Sequence, residues 1–190
     1  ALALSDPVDR MIGASLKVVK SGPGAAALVA FLTMIVAFYN WGLGLIFGAV
    51  LARRVGAHSL ENKIPINYPL IAAAGYSGLM VWHGGLSGSA PLTVAGSEHA
   101  LAASMGVIPT SETVFSQLNL VVSLALLVVV PVGLFLLARK VKGSLIPHHL
   151  LSDRSNLDLE DSEKIGAERI EAGPILGRLA GLVILAVASY

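Results

Sequence analysis

The stretch that decides the fold is Trp82-His83-Gly84-Gly85-Leu86-Ser87-Gly88-Ser89-Ala90-Pro91. Apolar and small residues surround it from residue 69 to residue 95, as they do in a membrane-buried segment. A continuous helix disfavours such a run because glycine and proline weaken helices. Backbone that leaves the helix at membrane depth survives only where protein or a water-filled cavity surrounds it. The pattern predicts a broken transmembrane helix over residues 69–96, with a gap that holds a polar solute or an ion.

The composition indicates an integral membrane protein. Of the 190 residues, 55% are hydrophobic and 13% are charged, and the mean hydropathy is +0.76. Soluble domains carry about 25% charged residues. The formal net charge is +1 and no basic patch stands out, so no nucleic-acid partner is expected. The absence of cysteine excludes disulfides, thiolate metal sites and cysteine nucleophiles from this chain.

Hydropathy divides the chain into alternating apolar and polar segments, and the prediction is an all-α membrane protein. The final apolar run is shorter than the roughly 20 residues that a span needs, so we expect a fragment of a longer polypeptide. The predicted segments are an interfacial or cytoplasmic segment (1–23), a long apolar segment (24–52), a cytoplasmic loop (53–68), the broken transmembrane helix (69–96), an external loop (97–117), a transmembrane helix (118–138), a cytoplasmic linker (139–174) and the start of a truncated transmembrane helix (175–190).

The apolar segment 24–52 has two interpretations. It is either one long tilted span or a re-entrant hairpin with its tip at Asn40-Trp41-Gly42. Basic residues favour the cytoplasmic side, and no Lys or Arg occurs between Ile64 and Ala138. A single span would place the basic residues of segment 1–23 outside, whereas a hairpin keeps every basic cluster inside. The charge pattern therefore favours the re-entrant hairpin.

The gap offers groups that suit both an anion and a cation. A helix that ends near His83 presents unpaired carbonyls, and one that restarts near Ser87 presents unpaired N–H groups. Glycine at positions 84, 85 and 88 lets the backbone approach a ligand, and Ser87 and Ser89 can cap the second half-helix or donate to the ligand. Close helix packing is the alternative, and it explains scattered small residues better than this cluster.

Three further side chains are candidates for the same site. His83 is the only His, Lys, Arg, Asp or Glu between Lys63 and Glu98, so it can bind a carboxylate or carry a proton, or it is a neutral, hydrogen-bonded histidine beside Trp82. Asn40 can donate to a carboxylate or offer its oxygen to Na⁺. Trp41 lines the pocket or anchors the chain at the membrane interface.

Gly85-Leu86-Ser87-Gly88 also matches a short pattern of intramembrane serine proteases. That chemistry needs a base beside the serine, and His83 lies on the same segment, whereas those proteases place the base on another helix. We therefore expect no catalytic residue, no enzyme activity and no bound metal.

Several blocks together resemble the bacterial short-chain fatty acid transporter family, which belongs to the ion transporter superfamily. They are Asn40-Trp41-Gly42-Leu43-Gly44-Leu45, Asn67-Tyr68-Pro69-Leu70 through Tyr76-Ser77-Gly78, residues 82–92, and Gly106-Val107-Ile108-Pro109. The resemblance implies one half of an inverted-repeat transporter, with a re-entrant hairpin and a broken helix in each repeat. Carried over to this chain, the substrate-binding residues are Asn40, Trp41 and Gly42 from the hairpin and Gly84, Gly85, Ser87, Gly88 and Ser89 from the gap. His83 joins this predicted set because of its ionisable side chain, not because of the resemblance.

The resemblance also implies a function. It is a multi-pass secondary transporter of the bacterial inner membrane that moves short monocarboxylates such as acetoacetate or butyrate. The lipid bilayer surrounds it, a homodimer is expected by analogy, no cofactor is expected, and Na⁺ or H⁺ would be the coupling ion. The alternatives are a dicarboxylate carrier on the same fold, an intramembrane protease, and a structural membrane subunit.

Overall fold

The computed structural model describes residues 6–146, and the part that it describes is mostly helical. The predicted start of a span at 175–190 and most of the predicted linker lie outside the described residues. Two short 3₁₀ turns, Ser77–Met80 and Trp82–Gly84, lie among the α-helices. The α-helices are α1 (Asp6–Leu16), α2 (Gly22–Tyr39), α3 (Trp41–Glu61), α4 (Tyr68–Gly75), α5 (Ser89–Val94), α6 (Ala102–Met105) and α7 (Gln117–Lys140).

Three of the described helices, α2, α3 and α7, are long and apolar enough to cross a membrane. At 1.5 Å per residue, the 18 residues of α2 extend about 27 Å, and the 24 residues of α7 about 36 Å. A bilayer core is about 30 Å thick. The prediction of a helical membrane protein is confirmed at this level.

Segment 24–52 does not form one helix, because α2 and α3 are separated at Asn40. The Asn40 backbone is extended (φ −148°, ψ 120°), and Asn40 Oδ1 accepts a hydrogen bond from the Leu43 N–H at 2.9 Å. Its own N–H donates to the Val36 carbonyl. One asparagine thus ends α2 and caps α3, and the chain reverses there into a helical hairpin.

Small residues allow the hairpin to close tightly. A Cβ built on Gly44 would lie 2.5 Å from the Ala37 Cβ, and one on Gly48 would collide with the Gly75 carbonyl of α4. Gly44, Gly48, Ala52 and Gly56 recur every fourth residue and are all buried. This spacing is typical of helices that pack closely in membranes.

Helix α7 packs along α2, and most of its surface is open. Leu126, Leu127 and Val130 contact the cluster of Met34, Ala37 and Val81. Pro131 is the only residue of α7 that is buried. A helix so apolar and so exposed needs lipid or more protein around it.

One difference between the observed boundaries and the predicted segments lies at the end of α3. The sequence predicts a loop from residue 53, yet α3 continues to Glu61. Arg53 and Arg54 are exposed on the helix surface. Charge on one face does not end a helix whose other face, with Val55 and Ser59, stays buried.

Candidate functional site

The second apolar segment leaves the α-helix earlier than predicted, because α4 ends at Gly75 and two 3₁₀ turns follow it before the predicted gap. The turn Trp82–Gly84 ends at Gly85, which is extended (φ −89°, ψ 178°), and α5 begins only at Ser89. A Cβ on Gly85 would collide with the Phe38 carbonyl, and a Cβ on Gly88 would collide with the His83 carbonyl. Glycine is required at both positions because backbone approaches backbone directly. Residues 85–88 are called the gap below.

The hairpin tip, residues 40–42, contacts the gap. The Leu86 N–H donates to the Phe38 carbonyl at 2.8 Å, and the Trp41 N–H donates to Ser87 Oγ at 2.9 Å. The hairpin is thus joined to the gap by two hydrogen bonds between residues far apart in sequence, one from the tip at Trp41 and one to Phe38 near the end of α2. This contact assembles most of the predicted site residues in one place.

The predicted capping role of the serines is wrong. The residue before α5 is Gly88, and no side chain caps that helix. Ser87 Oγ instead accepts from Trp41, and Ser89 is exposed in the first turn of α5. The extended backbone at Gly85 directs Ser87 toward the hairpin rather than toward its own helix.

The helix N-terminus that faces the gap is that of α3. In the first turn of α3, the Trp41 N–H donates to Ser87 Oγ and the Leu43 N–H donates to Asn40 Oδ1. The Gly42 N–H donates to no acceptor among residues 6–146. A 21-residue helix carries a partial positive charge of about half a unit at this end. Because Asn40 Oδ1 caps α3, only the NH₂ group of the Asn40 side chain is available to a ligand.

Aromatic rings lie beside the gap. The ring centroids of Trp41 and Trp82 are 5.3 Å apart, and those of Trp82 and His83 are 3.9 Å apart. His83 and Trp41 are exposed. No hydrogen bond joins His83 to Ser87 in the described part of the chain, so the base–nucleophile pair that a serine protease needs is not formed.

Asn119, in the first turn of α7, is a site residue that the sequence analysis missed. Its Nδ2 donates to the Gly84 carbonyl at 2.8 Å and to the Val114 carbonyl at 2.7 Å. It therefore ties α7 to the edge of the gap. The available signal was an amide side chain inside an otherwise apolar span, where polar residues tend to be functional.

An apolar cavity of about 290 Å³ lies between α2 and α7. Phe38, whose carbonyl holds the Leu86 N–H, and Val81 both line it. Its one polar lining residue is Ser123, and the other lining residues are Met34, Ile35, Leu120, Leu124 and Leu127. No cluster of three His, Asp or Glu side chains suited to a metal ion occurs among the described residues.

The fold and the site define a class: a helical membrane protein in which a helical hairpin meets the break of a discontinuous segment. The profile of the family described as "Short chain fatty acid transporter" matches residues 1–190, and the chain belongs to this family.

Two relatives carry the name "Putative short-chain fatty acid transporter". The Escherichia coli (strain K12) protein is 31% identical over 98% of this chain, and the Haemophilus influenzae (strain ATCC 51907 / DSM 11121 / KW20 / Rd) protein is 28% identical over 95%. The chain spans about 42% of the length of each relative. No solved structure matches it.

Proposed function

We propose that the protein containing this chain is a secondary carrier of short monocarboxylates that works by alternating access. The observation that carries the proposal is the meeting of the α3 N-terminus with Ser87 at the gap. Family membership supports a transport role rather than catalysis. The remainder of the full-length protein would supply the second half of the site.

The carboxylate would bind between Gly42 and Ser87. The Gly42 N–H is available as a donor, and Ser87 can donate its own proton while its oxygen accepts from Trp41. Both donors lie at the positive end of α3. A single carboxylate can therefore be held without Arg or Lys, and none is present near the gap in sequence.

The alkyl chain of the substrate would enter the apolar cavity beside Phe38. Phe38 connects the gap with the cavity, because its carbonyl accepts a hydrogen bond from the Leu86 N–H and the residue also lines the cavity. This arrangement favours a monocarboxylate over a dicarboxylate, because a second carboxylate in that cavity would be desolvated with only Ser123 to bind it.

The remaining features of the carrier are part of the same proposal. The hairpin would enter the bacterial inner membrane from the cytoplasm as a re-entrant element, as the basic residues at its base suggest. Transport would be driven by Na⁺ or H⁺, with backbone carbonyls near Gly84 as candidate cation ligands. The assembly would be a homodimer built from inverted repeats.

Uptake by the full-length protein in proteoliposomes tests the proposal. We expect labelled butyrate to accumulate when a Na⁺ or a proton gradient is imposed, and unlabelled acetoacetate to compete with it. Each gradient is imposed separately, with ionophore-treated vesicles as the control. Succinate uptake in the absence of butyrate uptake would contradict the monocarboxylate assignment, and absence of any gradient-driven uptake would contradict the carrier.

A further inference from the structure

A second cavity lies at the opposite end of the bundle from the gap. Its volume is about 310 Å³, at the lower end of the range for ligand pockets. Gly22 at the start of α2 and Ala138 and Arg139 near the end of α7 line it, together with Pro65 and Asn67 from the loop before α4. Since α2 runs from this cavity to the hairpin tip, the helix separates the two sites by its whole length.

The walls of this cavity are held in place by backbone. Ile66 and Ser144 exchange two backbone hydrogen bonds, each 3.1 Å long, which join the loop before α4 to the chain that leaves α7. A Cβ on Gly143 would lie 2.9 Å from the Pro65 carbonyl oxygen, and one on Gly22 would lie 3.0 Å from it. The two glycines keep the space around that oxygen open.

Among the described residues, Arg139 is the only charged one that lines the cavity, and most charged residues near its lining residues in sequence are basic, although Glu61 lies four positions before Pro65. Arg139 lines it, and among residues 6–146 this guanidinium has no hydrogen-bonded or ion-pair partner. Lys20, Lys63, Lys140 and Lys142 lie within three positions in the sequence of lining residues, whereas no Asp or Glu does. The cavity therefore attracts an anion, and the Pro65 carbonyl offers an acceptor to hydroxyl groups of the same ligand.

We propose that this cavity binds the headgroup of an anionic phospholipid. The phosphodiester would contact Arg139, which suits phosphate because its planar donors can bind two oxygens at once. The headgroup hydroxyls would donate to the Pro65 carbonyl. The acyl chains would lie along the end of α7, where Val132, Leu136 and Leu137 are exposed. Lipid is favoured over a soluble phosphate because the cavity lies where apolar helices end and basic residues begin, as at a membrane surface.

Native mass spectrometry of the full-length protein tests the proposal. The protein in detergent is titrated with phosphatidylglycerol, phosphatidylethanolamine or inorganic phosphate. We expect phosphatidylglycerol to bind in preference to phosphatidylethanolamine and to resist displacement by inorganic phosphate. Arg139→Gln should lower the bound fraction about fivefold, as one basic side chain beside an anionic surface contributes. Arg139→Lys should retain part of the binding.

Lys17→Gln is the matched control, because it removes the same charge from an exposed side chain that does not line the cavity. It should leave lipid binding unchanged. Equal binding of the two lipids, or equal loss in Lys17→Gln and Arg139→Gln, would overturn the site. Displacement of the lipid by inorganic phosphate would overturn the lipid as the occupant. None of these outcomes depends on transport.

Discussion

Ser87 joins two elements of the structure instead of capping its own helix. As an acceptor for the Trp41 N–H, it joins the tip to the gap, and its own proton remains available to a carboxylate. We expect Ser87→Ala to raise the KM for butyrate about threefold to tenfold, the loss that one net hydrogen bond explains. Uptake kinetics of the full-length protein in proteoliposomes measure it.

Ser89→Ala is the matched control for this substitution. Ser89 was predicted as a site residue, but it is exposed, its side chain makes no hydrogen bond with the described residues, and it is not one of the proposed carboxylate donors. Its replacement should leave KM within twofold of the unmodified protein, as is usual for a neutral surface change. Similar KM values for Ser87→Ala and the unmodified protein would remove Ser87 from the proposed site.

At the residue level, the sequence predicted the position of the hairpin tip at Asn40, but neither the capping role of Asn40 nor the partners of Ser87 and Asn119. Asn40 ends one helix and caps the next through bonds within four residues, so its position in the sequence was informative. The partner of Ser87 lies 46 residues away, and that of Asn119 lies 35 residues away. No periodicity in one sequence reveals such pairs, since they depend on how the hairpin packs against the gap.

At the level of elements, the packing of α2 against α7 creates the apolar cavity. Leu124 lines that cavity, and a larger side chain there would fill it. We expect Leu124→Trp to exclude longer alkyl chains, so that kcat/KM for butyrate falls relative to acetate by about fourfold for each methylene excluded. A series of labelled acids from acetate to hexanoate, assayed in proteoliposomes, measures the change.

Leu136→Trp makes the same change at an exposed position of the same helix that does not line this cavity. It should preserve the order of substrates. If both variants leave the chain-length profile of the unmodified carrier intact, the cavity is not the alkyl subsite, while the carboxylate contacts at the gap would still stand.

The arrangement of these helices was only partly readable from the sequence. Apolar length identified α7 almost to the residue. The charge pattern favoured two helical arms over one span in segment 24–52, as the separation of α2 and α3 at Asn40 shows, whereas the re-entrant placement of these arms stays a prediction. The end of α3 was missed because Arg53 and Arg54 lie on its exposed face while the opposite face stays packed. The sequence also did not predict that α4 ends at Gly75 and that two 3₁₀ turns follow it before the gap.

At the scale of the whole molecule, one orientation in the membrane is consistent with both the positions of the basic residues and the order of the helices. The bases of α2 and α3 and the end of α7 carry the basic residues, while the part of the chain from 97 to 116 has none. Both arms of the hairpin are long enough to cross the bilayer. We therefore expect the hairpin to return to the side on which it began, and α7 to end on that side as well.

This orientation can be tested because the chain contains no cysteine. Single cysteines would be introduced as Lys63→Cys and Glu98→Cys, both at exposed positions, in full-length protein without other reactive cysteines. In intact cells, a membrane-impermeant maleimide should label Glu98→Cys at once and Lys63→Cys only after permeabilisation. The reason is that basic loops are retained in the cytoplasm. Labelling of Lys63→Cys from outside would invert the orientation. Labelling of both from the same side would mean that the broken segment between them does not cross the membrane, which the proposed carrier requires.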